Sequence, residues 1–279
     1  MRRVLTVMIL AALFIPISAS VLSYAEEYVP RELKGYMTNI AHRGASAYAP
    51  ENTMSAFYKA IEMGADYIEF DVQMSKDGIP VIIHDSTLNR TTNGNGYISD
   101  YTLKQLKSLD AGSWYGKEYV GETIPTLDEF LVEFGGKVNI LIELKYPELY
   151  PGIEEKVAIA LRKFNLVQYD SHEVIIQSFN HESLKLSKEL LPEIPHAVLV
   201  SKDWRKITIH QLEEIATFAD YFNPSLNMVT SELVELVHHT NMSMYAYTVR
   251  NPSEAGRLYS LGVDGIITDF PDYAKLVVK

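Results

Sequence analysis

The chain has 279 residues, of which 47% are hydrophobic, 36 are acidic and 25 are basic, so its net charge is −11, and it has no cysteine. A surface this acidic repels nucleic acid and anionic lipid, so neither is expected as a partner, and a polyanionic substrate would need a local positive centre such as a metal ion. The absence of cysteine excludes disulfides, and the length suits one large domain whose core needs no such crosslinks.

Residues 1–25 have the layout of a secretory signal. Two arginines precede an apolar run from Val4 to about Ile17, and small residues lead to Ala25, where we expect cleavage. The alternative is an uncleaved anchor, because the stretch up to Leu22 approaches the roughly 20 residues that span a bilayer. Cleavage would leave 23 basic and 36 acidic residues over 254, a net charge of −13. The domain at 26–279 would then be secreted or extracytoplasmic, without stable membrane insertion.

After the signal, short β-branched or aromatic runs alternate with segments of helical period. The predicted strands are Thr38–Ala41, Ala65–Asp71, Val138–Leu144, Glu173–Gln177, Ala197–Ser201, Tyr221–Asn223, Ser243–Thr248 and Gly265–Thr268. The predicted helices are Thr53–Met63, Leu127–Phe134, Gly152–Phe164, His181–Leu191, Thr208–Ala219, Ser231–His239, Pro252–Leu261 and Asp272–Val278. Eight alternations favour an α/β fold of the TIM (β/α)₈ barrel type over an open doubly wound sheet.

One interval breaks this rhythm, between His84 and Pro125. It contains the run T-L-N-R-T-T-N-G-N-G-Y and a short helical stretch at Thr102–Leu109. Its aromatic residues are Trp114, Tyr115 and Tyr119. We predict a small insertion at about 86–124 that lies over the barrel mouth and shapes the pocket, because loops this long are usually functional. The alternative is a surface excursion packed on its own aromatic residues.

Carboxylates stand at the ends of two predicted strands. Glu69 and Asp71 lie two residues apart, so both side chains point to one face of the strand, and Glu143 and Lys145 share a face in the same way. Carboxylates in apolar strands are costly without a compensating charge, and three of them form the hard oxygen site that Mg²⁺ or Ca²⁺ prefers. The alternative is an internal salt-bridge network in which Lys145 and Arg43 neutralise the acids.

Two histidines follow apolar runs that are predicted to end at the same rim. His42 follows a strand and His84 follows the run Ile79–Ile83. A lone histidine on an apolar segment is more often a core residue, but two at one pocket suit general acid–base catalysis of phosphodiester cleavage. In that reaction the nucleophile loses a proton and the leaving alkoxide gains one. Arg43 could offer a bidentate fork, and Lys145 a point charge, to phosphate oxygens.

A succession of motifs resembles the signature of the glycerophosphodiester phosphodiesterase family. In chain order the motifs are His42-Arg43-Gly44, Pro50-Glu51-Asn52-Thr53, Glu69-x-Asp71, Asp77-Gly78, Val81-x-x-His84-Asp85, Leu88-x-Arg90-Thr91-Thr92-x-Gly94, Ile124-Pro125-Thr126-Leu127, Glu143-x-Lys145 and Gly262-Val263-Asp264-Gly265-Ile266-Ile267-Thr268-Asp269-Phe270-Pro271. The resemblance runs from about Asn39 to the C-terminus. A match of so many parts in this order is far more specific than any single motif.

The resemblance implies a TIM-barrel hydrolase with one divalent cation, Ca²⁺ or Mg²⁺, that converts glycerophosphodiesters into sn-glycerol 3-phosphate and an alcohol. The residues that it implies as metal ligands are Glu69, Asp71 and Glu143. The acid–base pair that it implies is His42 and His84. The phosphate-binding residues that it implies are Arg43 and Lys145, with Glu51 as an orienting partner.

One departure from the family pattern lies on the seventh strand. Where members commonly carry Trp-Thr-Val-Asn, this chain has Tyr247-Thr248-Val249-Arg250. Tyr247 can still wall the pocket and is predicted to bind substrate, while Arg250 adds a positive charge near the mouth. The departure bears on the alcohol part of the substrate rather than on the reaction. The pair Asn52-Thr53 is interpreted as helix capping rather than chemistry.

Three other functions compete with this interpretation. A phospholipase C- or D-like enzyme acting on membrane lipid would use a related barrel with two histidines, but the net charge and the lack of a basic amphipathic helix disfavour it. A glycerophosphate hydrolase directed at teichoic acid is a second alternative. A binding protein without catalysis is disfavoured because none of the presumed reactive positions is replaced. The sequence leaves open whether water or the glycerol 2-hydroxyl is the nucleophile, and what the oligomeric state is.

Overall fold

Eight parallel strands form the centre of the fold. The computed structural model describes residues 36–168, 174–202, 204 and 207–274. In chain order these eight strands, together with the antiparallel strand β3, are β1 (Thr38–Ala41), β2 (Tyr67–Met74), β3 (Pro80–Ile82), β4 (Asn139–Leu144), β5 (Val174–Ser178), β6 (His196–Val200), β7 (Tyr221–Pro224), β8 (Tyr245–Val249) and β9 (Gly265–Thr268). The predicted signal at 1–25, Glu173 and most of the predicted helix Asp272–Val278 lie outside the described residues.

The strand order makes a barrel. Neighbouring strands follow the order β7-β6-β5-β4-β2-β1-β9-β8. Isolated parallel bridges from Tyr221 to Ser243 and from Ser225 to Tyr247 then join the two ends of this order. The sheet therefore curls into a nearly closed barrel, which confirms the predicted TIM (β/α)₈ fold. All eight predicted strands are present, with ends displaced by at most three residues.

Strand β3 is an addition that the alternation of strands and helices did not predict. It pairs antiparallel with β2, with Gln73 opposite Val81, and so lies outside the parallel barrel. The connecting turn closes through a hydrogen bond from Ser75 N to Ile79 O, and Gly78 adopts φ 73° there. Glycine suits this left-handed position because it has no Cβ. The hairpin turns the chain back so that His84 follows close to the carboxyl end of β2.

Helices cover the outside of the barrel. They are α1 (Met54–Glu62), α2 (Leu103–Leu106), α3 (Leu127–Phe134), α4 (Ile153–Lys163), α5 (His181–Leu190), α6 (Ile209–Ile215), α7 (Ser231–His239) and α8 (Pro252–Ser260). The predicted helices match these closely except α6, which ends four residues before the predicted Ala219. A turn over residues 216–218 follows α6, and Thr217 Oγ1 donates to Glu214 O at 2.7 Å, a side-chain hydrogen bond that competes with those of the helical backbone. Among the described residues, no helix has both the length and the apolar composition needed to cross a bilayer.

Residues 86–124 form the predicted insertion and have a small core of their own. The buried residues of that core, with its neighbours on either side, are Val81, Ile83, Leu88, Ile98, Leu106, Ala111 and Ile124. The rings of Tyr115 and Tyr119 meet edge to face with centroids 5.6 Å apart, and Trp114 meets Tyr115 in the same way. Tyr119 Oη donates to Tyr48 O at 2.9 Å and ties the insertion to the barrel.

Candidate active site

The polar residues of the site form a layer directly above the apolar interior of the barrel. Seven strands each contribute one residue to that interior, namely Ile40, Tyr67, Leu141, Ile175, Ala197, Tyr245 and Ile267. Side chains two positions further along a strand point the same way, one layer nearer its carboxyl end. In this second layer lie His42, Glu69, Glu143, Gln177, Leu199 and Tyr247, and they surround one cavity of about 170 Å³. The alternation of side chains along the strands therefore places most residues of the site around one cavity.

Three buried carboxylates lie close enough together to share one cation. One oxygen each of Glu69, Asp71 and Glu143 lies within 4.8 Å of the others. The parallel register of β2 and β4 places Asp71 beside Glu143. Among the described residues, Asp71 Oδ1 has no hydrogen-bond partner, and Lys145 Nζ lies 3.7 Å from it. Hard oxygen ligands that include an unsatisfied buried atom fit a divalent cation such as Mg²⁺ or Ca²⁺.

The three carboxylates titrate abnormally because they are buried together. Burial, and then the charges of Asp71 and Glu143, raise the pKa of Glu69 well above its ordinary value. Burial also raises the pKa of Glu143 to about 7, against the opposing charge of Lys145. Burial acts in the same direction on Asp71, but the charges of Arg43 and Lys145 outweigh it and lower the pKa of Asp71. Because carboxylate ligands must be deprotonated, a cation that binds here displaces these protons and relieves the repulsion between the carboxylates.

The salt-bridge network that the sequence offered as an alternative is present as well. Lys145 Nζ donates to Glu143 Oε1 at 2.8 Å, and Arg43 Nε lies 3.3 Å from Asp71 Oδ2, although it is not aligned for a hydrogen bond. These two cations face three carboxyl groups, so one negative charge remains when all three are ionised, before Glu51 is counted. The ion pairs therefore neutralise the carboxylates only in part and leave room for a divalent cation.

His42 is held by a carboxylate that follows β9. Its Nδ1 lies 2.5 Å from Asp269 Oδ1, and Arg250 Nε donates to Asp269 Oδ2 at 2.6 Å. Burial opposes ionisation of Asp269, but His42 and Arg250 outweigh it and lower the pKa of this carboxyl to about 2. An ionised carboxylate only accepts, so Nδ1 of His42 carries the proton. Burial and the charge of Arg43 lower the pKa of His42, which leaves a neutral ring with Nε2 ready to accept a proton.

His84 has a partner of the same kind. Its Nδ1 lies 2.7 Å from Asp85 Oδ1, and Arg90 donates to both oxygens of Asp85 at 2.8 and 2.9 Å. The hydrogen bonds from Arg90 lower the pKa of Asp85 to about 2. Burial lowers the pKa of His84, against the charge of Asp71. Both histidines line the same cavity, so two neutral imidazoles face one space.

Glu51 connects Arg43 to the partners of His84. It accepts from Arg43 Nη1 at 2.8 Å, and from Arg90 Nη1 and Nη2 at 2.7 and 2.8 Å. Because Arg90 also holds Asp85, one continuous network runs from the second histidine to the arginine beside the first. These contacts are the ones that an orienting role for Glu51 requires.

The turn after β1 orients two of the carboxylates through left-handed residues. Arg43 has φ 57° and Asn52 has φ 58°. The backbone N–H of Arg43 donates to Glu69 Oε2 at 2.8 Å, and Asn52 Nδ2 donates to Asp71 Oδ2 at 2.8 Å. Left-handed backbone is unfavourable for residues other than glycine and persists where surrounding contacts determine it.

The interpretation of Asn52-Thr53 as helix capping is right for one residue and wrong for the other. Thr53 is the N-cap of α1, and its Oγ1 accepts from Ala56 N. Asn52 instead binds Asp71 from the turn. Its role follows from the left-handed backbone, which aims the side chain at the end of β2 rather than along the helix.

The structure brings the predicted site residues together. The cavity is lined by His42, Arg43, Glu69, His84, Glu143, Lys145 and Tyr247, and Asp71 lies beside it, 3.3 Å from Arg43 and 3.7 Å from Lys145. The ring of Tyr247 forms one wall, and its Oη donates to Val200 O at 2.8 Å. Residues 86–124 do not line this cavity, so they do not shape it directly as predicted, and their link to the site is Arg90.

Four contacts of the site were not predicted, those of Asn52, Asp85, Arg90 and Asp269. The sequence could have indicated Asp269. It lies two positions after the interior residue Ile267, just as Glu69 lies two positions after the interior residue Tyr67. Arg250 was predicted to add positive charge near the mouth, but it forms an ion pair with Asp269, so its charge is largely neutralised.

Comparison with known proteins matches this chain to one family. Residues 42–273 match the Glycerophosphoryl diester phosphodiesterase family. A glycerophosphodiester phosphodiesterase of Bacillus subtilis is 40% identical over 285 aligned residues, which cover 96% of this chain and 97% of that protein. A glycerophosphodiester phosphodiesterase of Caldanaerobacter subterraneus is 42% identical over 240 residues, which cover 84% of this chain and 94% of that protein.

A solved structure also resembles this chain. A phosphodiesterase of Oleispira antarctica in complex with the product sn-glycerol-3-phosphate is 34% identical, with a TM-score of 0.78 over 87% of this chain and 97% of that one. The fold and the site thus define a TIM-barrel phosphoric diester hydrolase. The chain belongs to the glycerophosphoryl diester phosphodiesterase family, as its motifs predicted.

Proposed function

We propose that the chain hydrolyses glycerophosphodiesters to sn-glycerol 3-phosphate and an alcohol, with His42 and His84 as the acid–base pair. The observation that carries the proposal is the convergence of two carboxylate-held imidazoles on one cavity beside three buried carboxylates. The Oleispira antarctica relative, solved with sn-glycerol-3-phosphate, supports the same product.

The two histidines perform opposite proton transfers. One accepts the proton of the attacking hydroxyl, from water or from the glycerol 2-hydroxyl, as its oxygen bonds to phosphorus. The other donates a proton to the alkoxide as the bond between phosphorus and the alcohol oxygen breaks. The negative phosphate raises the pKa of the imidazoles beside it, so one of them is protonated when substrate is bound. If the 2-hydroxyl attacks, the product is a cyclic phosphate that water then opens.

Arg43 and Lys145 hold the phosphate between the histidines. Arg43 presents its guanidinium on the cavity wall while Glu51 fixes its orientation at 2.8 Å. Lys145 lies on the same wall, and the charges of Glu143 and Asp71 raise its pKa although burial opposes them. Both side chains are therefore cationic and can pair with non-bridging oxygens. Tyr247 closes the cavity beside them as a substrate-binding wall.

Glu69, Asp71 and Glu143 would hold one divalent cation, Ca²⁺ or Mg²⁺. The unsatisfied Asp71 Oδ1 and the raised pKa values of the two glutamates fit such an ion. When bound, the ion supplies positive charge that stabilises the phosphoryl oxygens. The three residues themselves orient that charge toward the cavity in which Arg43 and Lys145 hold the phosphate.

An assay for glycerol phosphate tests the proposal. Purified protein, first dialysed against a chelator, is given glycerophosphocholine with and without added Ca²⁺ or Mg²⁺. We expect release of sn-glycerol 3-phosphate and choline that depends on the added ion. Liposomes of intact phospholipid are the matched alternative substrate, and preferential cleavage of the lipid would support the phospholipase alternative instead. Binding without any product would contradict the proposal.

We also propose that residues 1–25 direct export and are removed. The support is compositional, namely two arginines, an apolar run and the small residues before Glu26. Expression of the full chain in a bacterial host, followed by N-terminal sequencing of the exported protein, should give Glu26 as the first residue. Recovery of an uncleaved chain in the membrane fraction would favour the anchor.

A further inference from the structure

Gln73 continues the row of site residues along β2 but does not line the catalytic cavity. Glu69, Asp71 and Gln73 follow one another at intervals of two, so all three side chains point to the same face of the strand. The side chain of Gln73 is completely buried. A buried amide costs free energy unless hydrogen bonds satisfy its polar atoms, so its partners show what it contributes.

The amide nitrogen of Gln73 clamps the backbone around His84. Its Nε2 lies 2.8 Å from Ile83 O, 2.9 Å from His84 O and 2.8 Å from Asp85 O. Carbonyl oxygens only accept, so the end of the amide that faces them carries its hydrogens. Three successive carbonyls converge on one nitrogen, which fixes the course of the chain through His84.

Tyr150 fixes the other end of the amide. Its Oη donates to Gln73 Oε1 at 2.8 Å, and the phenol ring is buried. Burial raises the pKa of Tyr150 to about 12, so the hydroxyl keeps the proton that it donates. One turn of 3₁₀ helix, Pro147–Leu149, lies between Lys145 and Tyr150. The segment that follows Lys145 and the segment that carries His84 are therefore joined through one amide.

His84 is thus held at two places. Its ring is held by Asp85, which Arg90 fixes in turn, and its backbone carbonyl is held by Gln73. The two contacts come from different parts of the fold, since Arg90 belongs to the insertion at 86–124 and Gln73 to β2. Because β2 also carries two of the three buried carboxylates, the amide determines how far the imidazole lies from them.

We propose that Gln73 is a positioning residue for the reaction, acting through the backbone of His84, with its amide oriented by Tyr150. The clamp holds the imidazole at the distance from phosphorus that proton transfer requires. Displacement of a reacting group by about 1 Å can lower turnover by roughly 100-fold. The inference rests on the proposed function, since it assumes that His84 takes part in acid–base catalysis.

Gln73→Met tests the clamp, because methionine has a similar length and offers the three carbonyls no donor. In the full-length protein with divalent cation added, kcat for release of sn-glycerol 3-phosphate from glycerophosphocholine should fall by roughly tenfold. KM should change by less than about twofold, because Arg43 and Lys145 hold the phosphate through their own contacts. Gln168→Met makes the same exchange at an exposed position and should leave both constants unchanged.

Combination with His84→Ala separates positioning from a general effect on the fold. If Gln73 acts through the imidazole, Gln73→Met should change the residual kcat of the His84→Ala protein by less than about twofold. Damage to the whole fold would instead multiply with the loss in His84→Ala and give a further fall of about tenfold. We expect the first result.

Tyr150→Phe removes one hydroxyl and keeps the buried ring, so it tests the same clamp with a smaller change. It should lower kcat by roughly threefold, and it should cause no further loss in combination with Gln73→Met. Tyr97→Phe, at an exposed tyrosine of the insertion, is the control and should retain full kcat.

The outcomes also separate this inference from the proposed function. Full kcat in both Gln73→Met and Tyr150→Phe, or losses that multiply with that of His84→Ala, would overturn the positioning role while leaving hydrolysis intact. If Gln73→Met does not unfold cooperatively, Tyr150→Phe and its combination with His84→Ala decide between the two results. Failure of the unaltered protein to release glycerol phosphate would contradict the proposed function itself.

Discussion

His42 and Arg250 bind opposite oxygens of the same carboxylate, at 2.5 and 2.6 Å from Asp269. Arg250 thereby competes with His42 for the negative charge of Asp269. Arg250 does not line the cavity, so it acts on the imidazole of His42 through Asp269. Whether Arg250 raises or lowers the pKa of His42 can be measured by replacing Arg250.

Arg250→Gln should raise the pKa of His42. Burial and Arg43 now lower that pKa, while Asp269 raises it, so removing the competing arginine strengthens the raising contribution. One limb of the pH profile of kcat/KM should therefore move to higher pH, by up to about one unit, while the limb that belongs to His84 stays in place. Profiles of the two proteins measured with the same substrate check this. An unchanged profile, or a shift to lower pH, would show that Asp269 does not couple the two side chains.

Arg90→Lys should lower kcat although Arg90 does not line the catalytic cavity. Its fork donates to Asp85 and Glu51 at the same time, and a single ammonium cannot reproduce both contacts. We expect kcat to fall by about tenfold, with the fold retained. Lys59→Arg, a conservative exchange on the outer face of α1, serves as the control. Full activity in the Arg90 variant would mean that the network does not position His84.

Asp71→Ala should abolish activation by added divalent cation. Asp71 supplies the unsatisfied oxygen among the three carboxylates, and two remaining ligands hold such an ion poorly. Titration of Ca²⁺ or Mg²⁺ into chelator-treated protein, followed by activity and by calorimetry, measures the loss. Asp128→Ala, which removes an exposed carboxylate paired with Lys163, should titrate like the parent protein. A normal titration for Asp71→Ala would argue against this metal site.

The metal-free protein should lose stability as the pH rises. The folded-state pKa of Glu143 is about 7, above its ordinary value of 4.5, so its contribution is fully present below about pH 4.5 and is lost as the pH rises through 7. Glu69 acts in the same direction. A divalent cation should therefore raise Tm more at pH 8 than at pH 5.5, which thermal scans in both buffers can check. Glu143→Gln should reduce this difference, and an equal rise at both pH values would contradict the raised pKa.

Period-two alternation made much of the fold and site accessible from sequence. Glu69 and Asp71 could be placed on one face because they lie in one strand, and Ile267 and Asp269 follow the same rule. The contact of Asn52 with Asp71 could not be placed, because it depends on a left-handed backbone that nothing in the local sequence requires.

Contacts made over long separations in sequence were also missed. Arg90 meets Glu51 across 39 residues, through an insertion whose docking depends on its own small core rather than on strand alternation. Strand β3 was missed because three residues are too few to show a period. The sequence therefore predicts residues that the barrel strands position, and it predicts poorly those that turns and the insertion position.

The central claim is that His42 and His84 perform opposite proton transfers at one phosphorus. The most direct test is kcat for release of sn-glycerol 3-phosphate from glycerophosphocholine by His42→Ala and by His84→Ala, each with saturating divalent cation. Each variant should lose a factor of roughly 10² to 10⁴ while its thermal unfolding remains cooperative. Near-normal turnover in both folded variants would contradict the acid–base assignment.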